Sequence, residues 1–135
     1  MTIDESVHRL LAEKETVIRL FYDKFLGQYP AVREYFAGID LEEQAIALTM
    51  ALVMVENFYS HAYPATRHYL KVLGSRHHLK NIPPEMYPPF CECLLKTLAE
   101  FHGSDWDTEL STEWRDALDM ASKTMLDGYR KTYTY

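Results

Sequence analysis

Apolar residues recur at intervals of three and four along almost the whole chain, and this spacing restricts the fold more than any other feature. It is the period of one face of an α-helix, and no segment shows the alternation typical of a β-strand. The first stripe consists of Val7, Leu10, Leu11, Val17, Ile18, Phe21, Tyr22, Phe25 and Leu26. The sequence therefore predicts an all-α fold of about six to eight helices.

The first part of the chain carries signals for where its helices begin and end. Asp4 is a candidate N-cap, and Gly27 is a candidate stop at the end of the first stripe. The stripe lapses at Lys14, so it predicts either one long helix or two in succession. Pro30 begins a short helix that is expected to end near Phe36.

The middle of the chain is predicted to hold a long helix and then a shorter one. Asp40, with Glu43 three residues later, resembles a capping box for the long helix. The apolar positions of that helix are Leu41, Ala45, Leu48, Leu52, Val55 and Tyr59. Pro64 separates it from the shorter helix, which is expected to end at Pro83 and Pro84.

Two further helices are predicted in the last third of the chain. The first carries Pro88 and Pro89 in its opening turns, where a missing N–H donor does least harm, and it ends at Gly103. Asp105 or Asp107 caps the second. Its inward positions are Leu110, Trp114, Ala117, Leu118, Ala121, Met125 and Tyr129.

The composition is that of one globular domain over residues 1–135. Hydrophobic residues make up 47 % and charged residues 25 %, which suits a chain that buries its own core. The formal net charge of −6 argues against nucleic acid as a partner, and the longest semi-apolar run, residues 45–55, is too short to cross a membrane. The amino terminus lacks the features of a signal peptide, and Cys91 and Cys93 are interpreted as free thiols. These features predict a cytoplasmic protein.

Missing motifs exclude several classes of site. The sequence has no glycine-rich phosphate loop and no Gly-x-Ser-x-Gly elbow. A di-iron bundle needs two Glu-x-x-His pairs, and the chain has only the one that runs from Glu5 to His8. Cys91 and Cys93 are too close together, and lack the further ligands, for a zinc site of the usual kind.

A histidine on an apolar helical face is the strongest candidate for chemistry. His77 follows Leu73 by four residues and Tyr69 by eight, so the three share one side of a helix. Such a histidine is either a core residue hydrogen-bonded to a tyrosine or a metal ligand, and both interpretations stay open. The other five histidines are predicted to be surface or loop residues: His8, His61, His68, His78 and His102.

Two polar residues, Tyr22 and Gln44, interrupt apolar stripes on the preceding helices. Tyr22 lies four residues from both Ile18 and Leu26, and Gln44 lies four residues before Leu48. Taken singly, they suit a core tyrosine and a solvated residue of a first helical turn. Together they offer a hydroxyl and an amide donor, which a diatomic ligand polarised by a metal could accept.

The order of these residues resembles that of a globin of the bacterial haemoglobin type, including the globin domain of flavohaemoglobins. The resemblance covers about residues 7 to 130. It is carried by Phe21-Tyr22-Asp23, Pro30 to Phe36, Gln44, Leu48, Leu73-Gly74-Ser75-Arg76-His77, Pro84-Glu85-Met86-Tyr87, Cys93-Leu94-Leu95-Lys96-Thr97-Leu98 and Trp114. It implies a globin fold packed around a haem pocket, with haem b as the cofactor.

The resemblance also implies a role for each residue of the site. His77 would be the proximal iron ligand, its other ring nitrogen bonded to a backbone carbonyl or to Tyr87. Tyr22 and Gln44 would form the distal hydrogen-bonding pair, with Leu48 as the apolar residue above the iron. The remaining matches are Phe36, Leu73, Ile82 and Phe90 for haem packing, and Arg76 is the candidate for a propionate. His68 or His78, although expected at the surface, could also approach a propionate. Arg76 fits a solvated helix cation equally well.

One position departs from the flavohaemoglobin pattern. The late-helix glutamate that joins the tyrosine–histidine pair there is matched here by Tyr129. Without a carboxylate the imidazole is less basic, which weakens the case for strong nitric-oxide dioxygenase or peroxidase-like chemistry. The chain carries no reductase domain, so any turnover would need an external reductase.

Three functions are therefore considered. The first is a haem globin that binds O₂, and also CO or NO, reversibly, with NO dioxygenation where a reductant is supplied. The second is the input domain of a haem-based gas sensor, suggested by residues 128–135, which look like a helix running into a trimmed linker. The third is a cofactor-free helical interaction module in which His77 is a core residue.

Overall fold

Helices are the only regular secondary structure within residues 1–130, the range that the structure, a computed structural model, describes. The α-helices are α1 (Ile3–Ala12), α2 (Lys14–Gln28), α3 (Leu41–His61), α4 (Pro64–Leu79), α5 (Tyr87–His102) and α6 (Thr108–Asp127). Short 3₁₀ helices cover Pro30–Phe36, Pro84–Met86, Gly103–Asp105 and Gly128–Arg130. The predicted all-α fold is confirmed. Within the same range no helix is long and apolar enough to span a membrane.

The start of the chain differs from the prediction in its caps. Thr2, and not Asp4, is the N-cap of α1, because its hydroxyl accepts from the Glu5 N–H while the Glu5 carboxylate accepts from the Thr2 N–H. This reciprocal pair leaves Asp4 in the first turn. The stripe divides at Glu13, so the alternative of two successive helices is correct. Gly27 does not stop α2, which runs on to Gln28.

The caps of α3, α5 and α6 are close to the predicted ones. The Asp40 carboxylate accepts from the Glu42 N–H at the start of α3. Gly103 ends α5 with a φ of 58°, in the region that only glycine adopts without strain. Of the two candidate caps of α6, Asp107 is the one used. Asp105 instead accepts a hydrogen bond of 2.7 Å from Arg9.

The helix that carries His77 is held close to the last helix by two glycines. A β-carbon on Gly74 would collide with the backbone carbonyl of Met125 in α6, and one on Gly128 would collide with the carbonyl of Lys71. α4 therefore approaches α6 at a distance that a larger residue would prevent. Around this contact α3 also packs on α6, and α2 packs on α5.

The prediction for His102 was wrong, whereas the other four histidines named with it are exposed. His102 is 4 % exposed, and its Nε2 lies 2.6 Å from the Ser6 hydroxyl of α1. The Trp114 indole N–H donates to the same hydroxyl at 3.0 Å. The last turn of α5 is thus covered by α1. The burial of His102 is tolerated because it is hydrogen-bonded to Ser6, which lies far away in sequence.

Candidate functional site

A largely apolar cavity of about 200 Å³ lies among α2, α3, α4, α5 and α6. Nine of the residues predicted for the site line it: Tyr22, Phe36, Gln44, Leu48, Leu73, His77, Ile82, Tyr87 and Phe90. They come from five different helical segments and the loop after α4. The structure therefore brings together side chains that the sequence spreads over almost seventy positions.

Arg76, the residue predicted to contact a propionate, does not line this cavity, and neither do His68 and His78. Arg76 is exposed on α4, next to His77. The exposed position allows both interpretations, a contact with the edge of a bound cofactor or a solvated cation. Its role stays a prediction.

His77 is placed on the cavity wall by the last turns of α4 and is held there by Tyr87. The Nδ1 atom of His77 lies 3.2 Å from the Tyr87 hydroxyl oxygen. Burial, with a smaller contribution from Lys80, lowers the pKa of His77 to about 4, so the imidazole is neutral near pH 7. With Nδ1 engaged, Nε2 is the nitrogen available to a ligand from the cavity.

Two tyrosines, Tyr87 and Tyr129, pack edge-on against each other behind His77. Tyr129 follows α6, and the two ring centroids are 5.9 Å apart. The Tyr129 hydroxyl donates to the Ile82 carbonyl at 2.7 Å. Burial raises the pKa of both phenols, so both remain protonated near pH 7. Tyr129 therefore packs on Tyr87, on the side of the Tyr87–His77 pair that faces away from the cavity.

Tyr22 and Gln44 meet at the cavity wall although they stand on different helices. Tyr22 is 7 % exposed, and both side chains line the cavity. Burial raises the pKa of Tyr22, which keeps the phenol neutral. Its ring packs edge-on against Phe36 with the centroids 5.4 Å apart. The donors predicted separately thus form one polar patch in apolar surroundings.

Aromatic rings build much of the remaining wall. Phe90 packs edge-on against Phe21 at 4.9 Å and against Phe25 at 5.5 Å between centroids. The prediction missed Cys91, which also lines the cavity and lies 3.4 Å from the Ser122 hydroxyl. In the sequence, the one indication that Cys91 lines the cavity was its position next to Phe90. Burial raises the pKa of the Cys91 thiol, which disfavours a reactive thiolate.

These residues fit a flat, apolar cofactor whose metal needs one imidazole. The wall is mostly aliphatic and aromatic, as a porphyrin face requires. The one imidazole on this wall is neutral and has Nδ1 hydrogen-bonded, which is the form in which histidine binds a metal through Nε2. A polar patch, Tyr22 with Gln44, lines the same space.

Comparison with known sequences gives a consistent result. The family model described as Globin matches residues 19–125. An uncharacterized globin-like protein of Aquifex aeolicus is 29 % identical over 126 residues, which cover 93 % of this chain and 88 % of that protein. A flavohemoprotein of Schizosaccharomyces pombe is 28 % identical over 135 residues, and the match covers 97 % of this chain but 31 % of that longer protein.

Solved structures show the same fold. A bacterial globin from Campylobacter jejuni superposes with a TM-score of 0.80 at 24 % identity, covering 95 % of this chain and 91 % of its own. A Pseudomonas aeruginosa PAO1 protein, described as structurally highly homologous to human hemoglobin, gives a TM-score of 0.78 at 24 % identity, with coverage of 95 % and 98 %. With the family model matching most of its length, the chain belongs to the globin family, which implies a haem cofactor.

Proposed function

We propose that this globin holds haem b through His77 and binds O₂, and also CO and NO, reversibly. One observation carries the proposal. The neutral imidazole of His77, with its Nδ1 hydrogen-bonded, lines the same apolar cavity as the donor side chains of Tyr22 and Gln44. When bound, haem supplies an iron atom that takes up such diatomic gases.

On the proximal side, the protein contributes an oriented imidazole. The hydrogen bond between His77 and Tyr87 restricts rotation of the ring, and burial keeps it uncharged. A neutral, pre-oriented imidazole loses little entropy on binding a metal and needs no proton release. Phe36, Leu73, Ile82 and Phe90 would pack on the flat faces of the cofactor and exclude water.

On the distal side, the protein contributes hydrogen-bond donors. A polarised gas ligand would accept from the Tyr22 hydroxyl, with the Gln44 side chain beside it. Each such bond contributes about 1 kcal/mol in a site shielded from water. Leu48 adds an apolar surface beside them. This combination should bind O₂ and NO, which accept hydrogen bonds, more tightly than a pocket without donors would.

A finer proposal is that the protein also oxidises NO. In that reaction NO and O₂ combine, and one electron from an external reductase completes nitrate, so atoms and charge balance. Because position 129 holds a tyrosine and not a carboxylate, we expect slow turnover: the Tyr129 hydroxyl donates to the neutral Ile82 carbonyl and adds no negative charge behind His77. Consumption of NO with and without a supplied reductant measures this activity.

Two other functions were considered from the sequence. The sensor interpretation rests on residues 128–135, and residues 131–135 lie outside the part of the chain that the structure describes. It therefore stays a prediction. The cofactor-free module treats His77 as a core residue, but His77 lies on the wall of a cavity instead of in continuous packing.

An absorption spectrum of the purified chain titrated with haemin tests the proposal. We expect a strong Soret band at one haem per chain, and a ferrous form whose spectrum changes with CO and O₂. His77→Ala should lose the five-coordinate ferrous spectrum, whereas the exposed His61→Ala should keep it. No Soret band in the wild type, or an unaltered ferrous spectrum in His77→Ala, would show that the assignment is wrong.

A further inference from the structure

The charges of this chain are unevenly distributed, and α4 lies in a part that carries only positive ones. The whole chain has a formal net charge of −6, yet no aspartate or glutamate occurs in residues 57–84. The same stretch holds four cations: Arg67, Lys71, Arg76 and Lys80. Within residues 1–130 none of these four forms an ion pair with a carboxylate. This part of an acidic molecule therefore offers a local positive potential to an anion.

The start of α4 forms one side of an open cleft on the surface. The cleft, here called the basic cleft, is lined by Ala62, Pro64, Arg67, His68 and Lys71. None of these residues lines the cavity that contains His77. The basic cleft is therefore separate from the proposed haem site, and the polar side chains that line it are all basic.

An aromatic ring holds the Arg67 side chain in place within the basic cleft. The guanidinium carbon lies over the Phe58 ring, 5.5 Å from its centroid. Phe58 is a buried residue of α3, so this support has little freedom to move. A guanidinium that lies over a ring keeps N–H groups at its edge, and two of them match two phosphate oxygens. Arg67 is thus oriented for a phosphate before any ligand binds.

An exposed aromatic side chain precedes Arg67 by one helical turn. Tyr63 is 53 % exposed and stands in the chain between Ala62 and Pro64, which both line the basic cleft. Its ring stacks on that of His61, with the centroids 5.0 Å apart and 12° between the planes. The stack orients the Tyr63 ring and leaves much of it in contact with solvent. Nucleobases stack on exposed aromatic rings of this kind.

Tyr63, Arg67 and Lys71 follow one another at intervals of four residues. Such residues share one face of a helix, and each lies about one turn, roughly 5.4 Å, further along the axis. The Arg67 N–H donates to the Tyr63 carbonyl at 3.1 Å, so the first turn is closed between them. The order along α4 is therefore an aromatic ring, a guanidinium and an ammonium group. A nucleoside polyphosphate has a matching order of groups, a flat base followed by a sugar and its phosphates.

We propose that the basic cleft, with Tyr63 at its edge, binds a nucleoside polyphosphate. The base stacks on Tyr63, and the phosphates accept hydrogen bonds from the Arg67 guanidinium and the Lys71 ammonium group. The binding is reversible and involves no covalent step. It does not require haem, because the basic cleft and the cavity share no residue.

Calorimetric titration of the full chain, with and without haemin, compares three probes: ATP, tripolyphosphate and adenosine. We expect ATP to bind with a dissociation constant below about 1 mM. Tripolyphosphate should bind several-fold more weakly, because it has no base, and adenosine more weakly still, because it has no charge. The affinity for ATP should fall as salt is added. Amide NMR shifts on adding ATP should be largest in residues 61–71.

Three variants assign the two parts of the ligand to their side chains. Arg67→Gln should weaken the binding of ATP and of tripolyphosphate alike, by about tenfold. Tyr63→Leu should reduce the affinity for ATP to that for tripolyphosphate and leave the affinity for tripolyphosphate unchanged. Arg19→Gln removes an exposed cation from α2 and is the matched control, which should bind both probes as the wild type does.

A second cation variant guards against a packing defect in Arg67→Gln. Lys71→Gln leaves the contact between Arg67 and Phe58 in place and should also weaken both phosphate probes several-fold. A dissociation constant for ATP above about 1 mM, equal affinities for ATP and tripolyphosphate, or unchanged affinities in Arg67→Gln and Lys71→Gln would each overturn the inference. A polyglutamate peptide that binds as tightly as ATP would overturn it too, since the surface would then fit an acidic protein segment.

Discussion

The hydroxyl oxygen of Ser6 and Nε2 of His102 lie 2.6 Å apart in the interior and join the first helix to the end of α5. The Trp114 indole donates to the same hydroxyl. His102 Nδ1 is buried with no hydrogen-bond partner among the residues that the structure describes. An added proton there would be a buried charge, so burial, with a smaller contribution from Arg9 that Asp105 partly offsets, lowers the pKa of His102 to about 4.

Acid should destabilise the fold through His102. Because the pKa of an unfolded histidine is about 6.5, the unfolded chain takes up this proton first as the pH falls. The stabilisation is complete above about pH 6.5 and falls by up to about 3 kcal/mol as the pH approaches 4. Urea unfolding at several pH values should show a smaller loss in His102→Gln than in the wild type. Equal losses would contradict the assignment, and the exposed His61→Gln should behave as the wild type.

Gly74→Ala should destabilise the fold and weaken cofactor retention. The new β-carbon would collide with the Met125 carbonyl, so α4 must move away from α6 at a cost of about 3 kcal/mol. Thermal unfolding and the rate of haem loss measure the two effects. Gly27→Ala is the matched control, because nothing lies within 4 Å of its added β-carbon. The free energy of unfolding of Gly27→Ala should rise by about 0.5–1 kcal/mol, because alanine has the higher helix propensity. Similar losses of stability in Gly74→Ala and Gly27→Ala would refute the packing argument.

Tyr22→Phe should accelerate O₂ dissociation roughly tenfold, since one hydrogen bond worth about 1–1.5 kcal/mol is lost. Stopped-flow displacement of O₂ by CO measures the rate. The dissociation of CO, a poor hydrogen-bond acceptor, should change far less. Tyr59→Phe, a half-buried tyrosine of α3 outside the cavity lining, is the control. An unchanged O₂ rate would remove Tyr22 from the distal site.

Gln44→Leu should act mainly through Tyr22. Because the Gln44 side chain lies close enough to Tyr22 to lower the pKa of its phenol, its loss should leave that hydroxyl freer to rotate. The O₂ dissociation rate should rise by less than in Tyr22→Phe, and the double variant should resemble Tyr22→Phe alone. Fully additive effects in this double-mutant cycle would mean that the two side chains act on the ligand independently.

Much of the helical framework was predictable, because helix boundaries depend on residues close in sequence. Pro30, Asp40, Pro64 and Gly103 all mark boundaries that the structure shows. The errors lie at the amino terminus, at Gly27, which α2 passes, and after Leu79, where α4 ends before the predicted Pro83. At the amino terminus the Thr2–Glu5 pair supplied two hydrogen bonds where Asp4 could supply one.

The site was predictable as a set of side chains and not as an arrangement. Periodicity placed His77 and Tyr22 on inward faces, and the resemblance to globins supplied their proposed roles. The contact between Tyr22 and Gln44 depends on how α2 packs against α3, which no local pattern encodes. His102 was misassigned for the same reason, since its partner Ser6 stands on the first helix.

The sequence by itself determined an all-α chain with one histidine on an apolar face, because helical period and caps are local properties. The order of its site residues added the resemblance to globins. Only the tertiary structure decided what that histidine touches. The Ile82 carbonyl reaches Tyr129 through a turn at Asn81 and a helix crossing that requires Gly74 and Gly128. These contacts join three segments of the chain in space, and such a meeting depends on packing between helices.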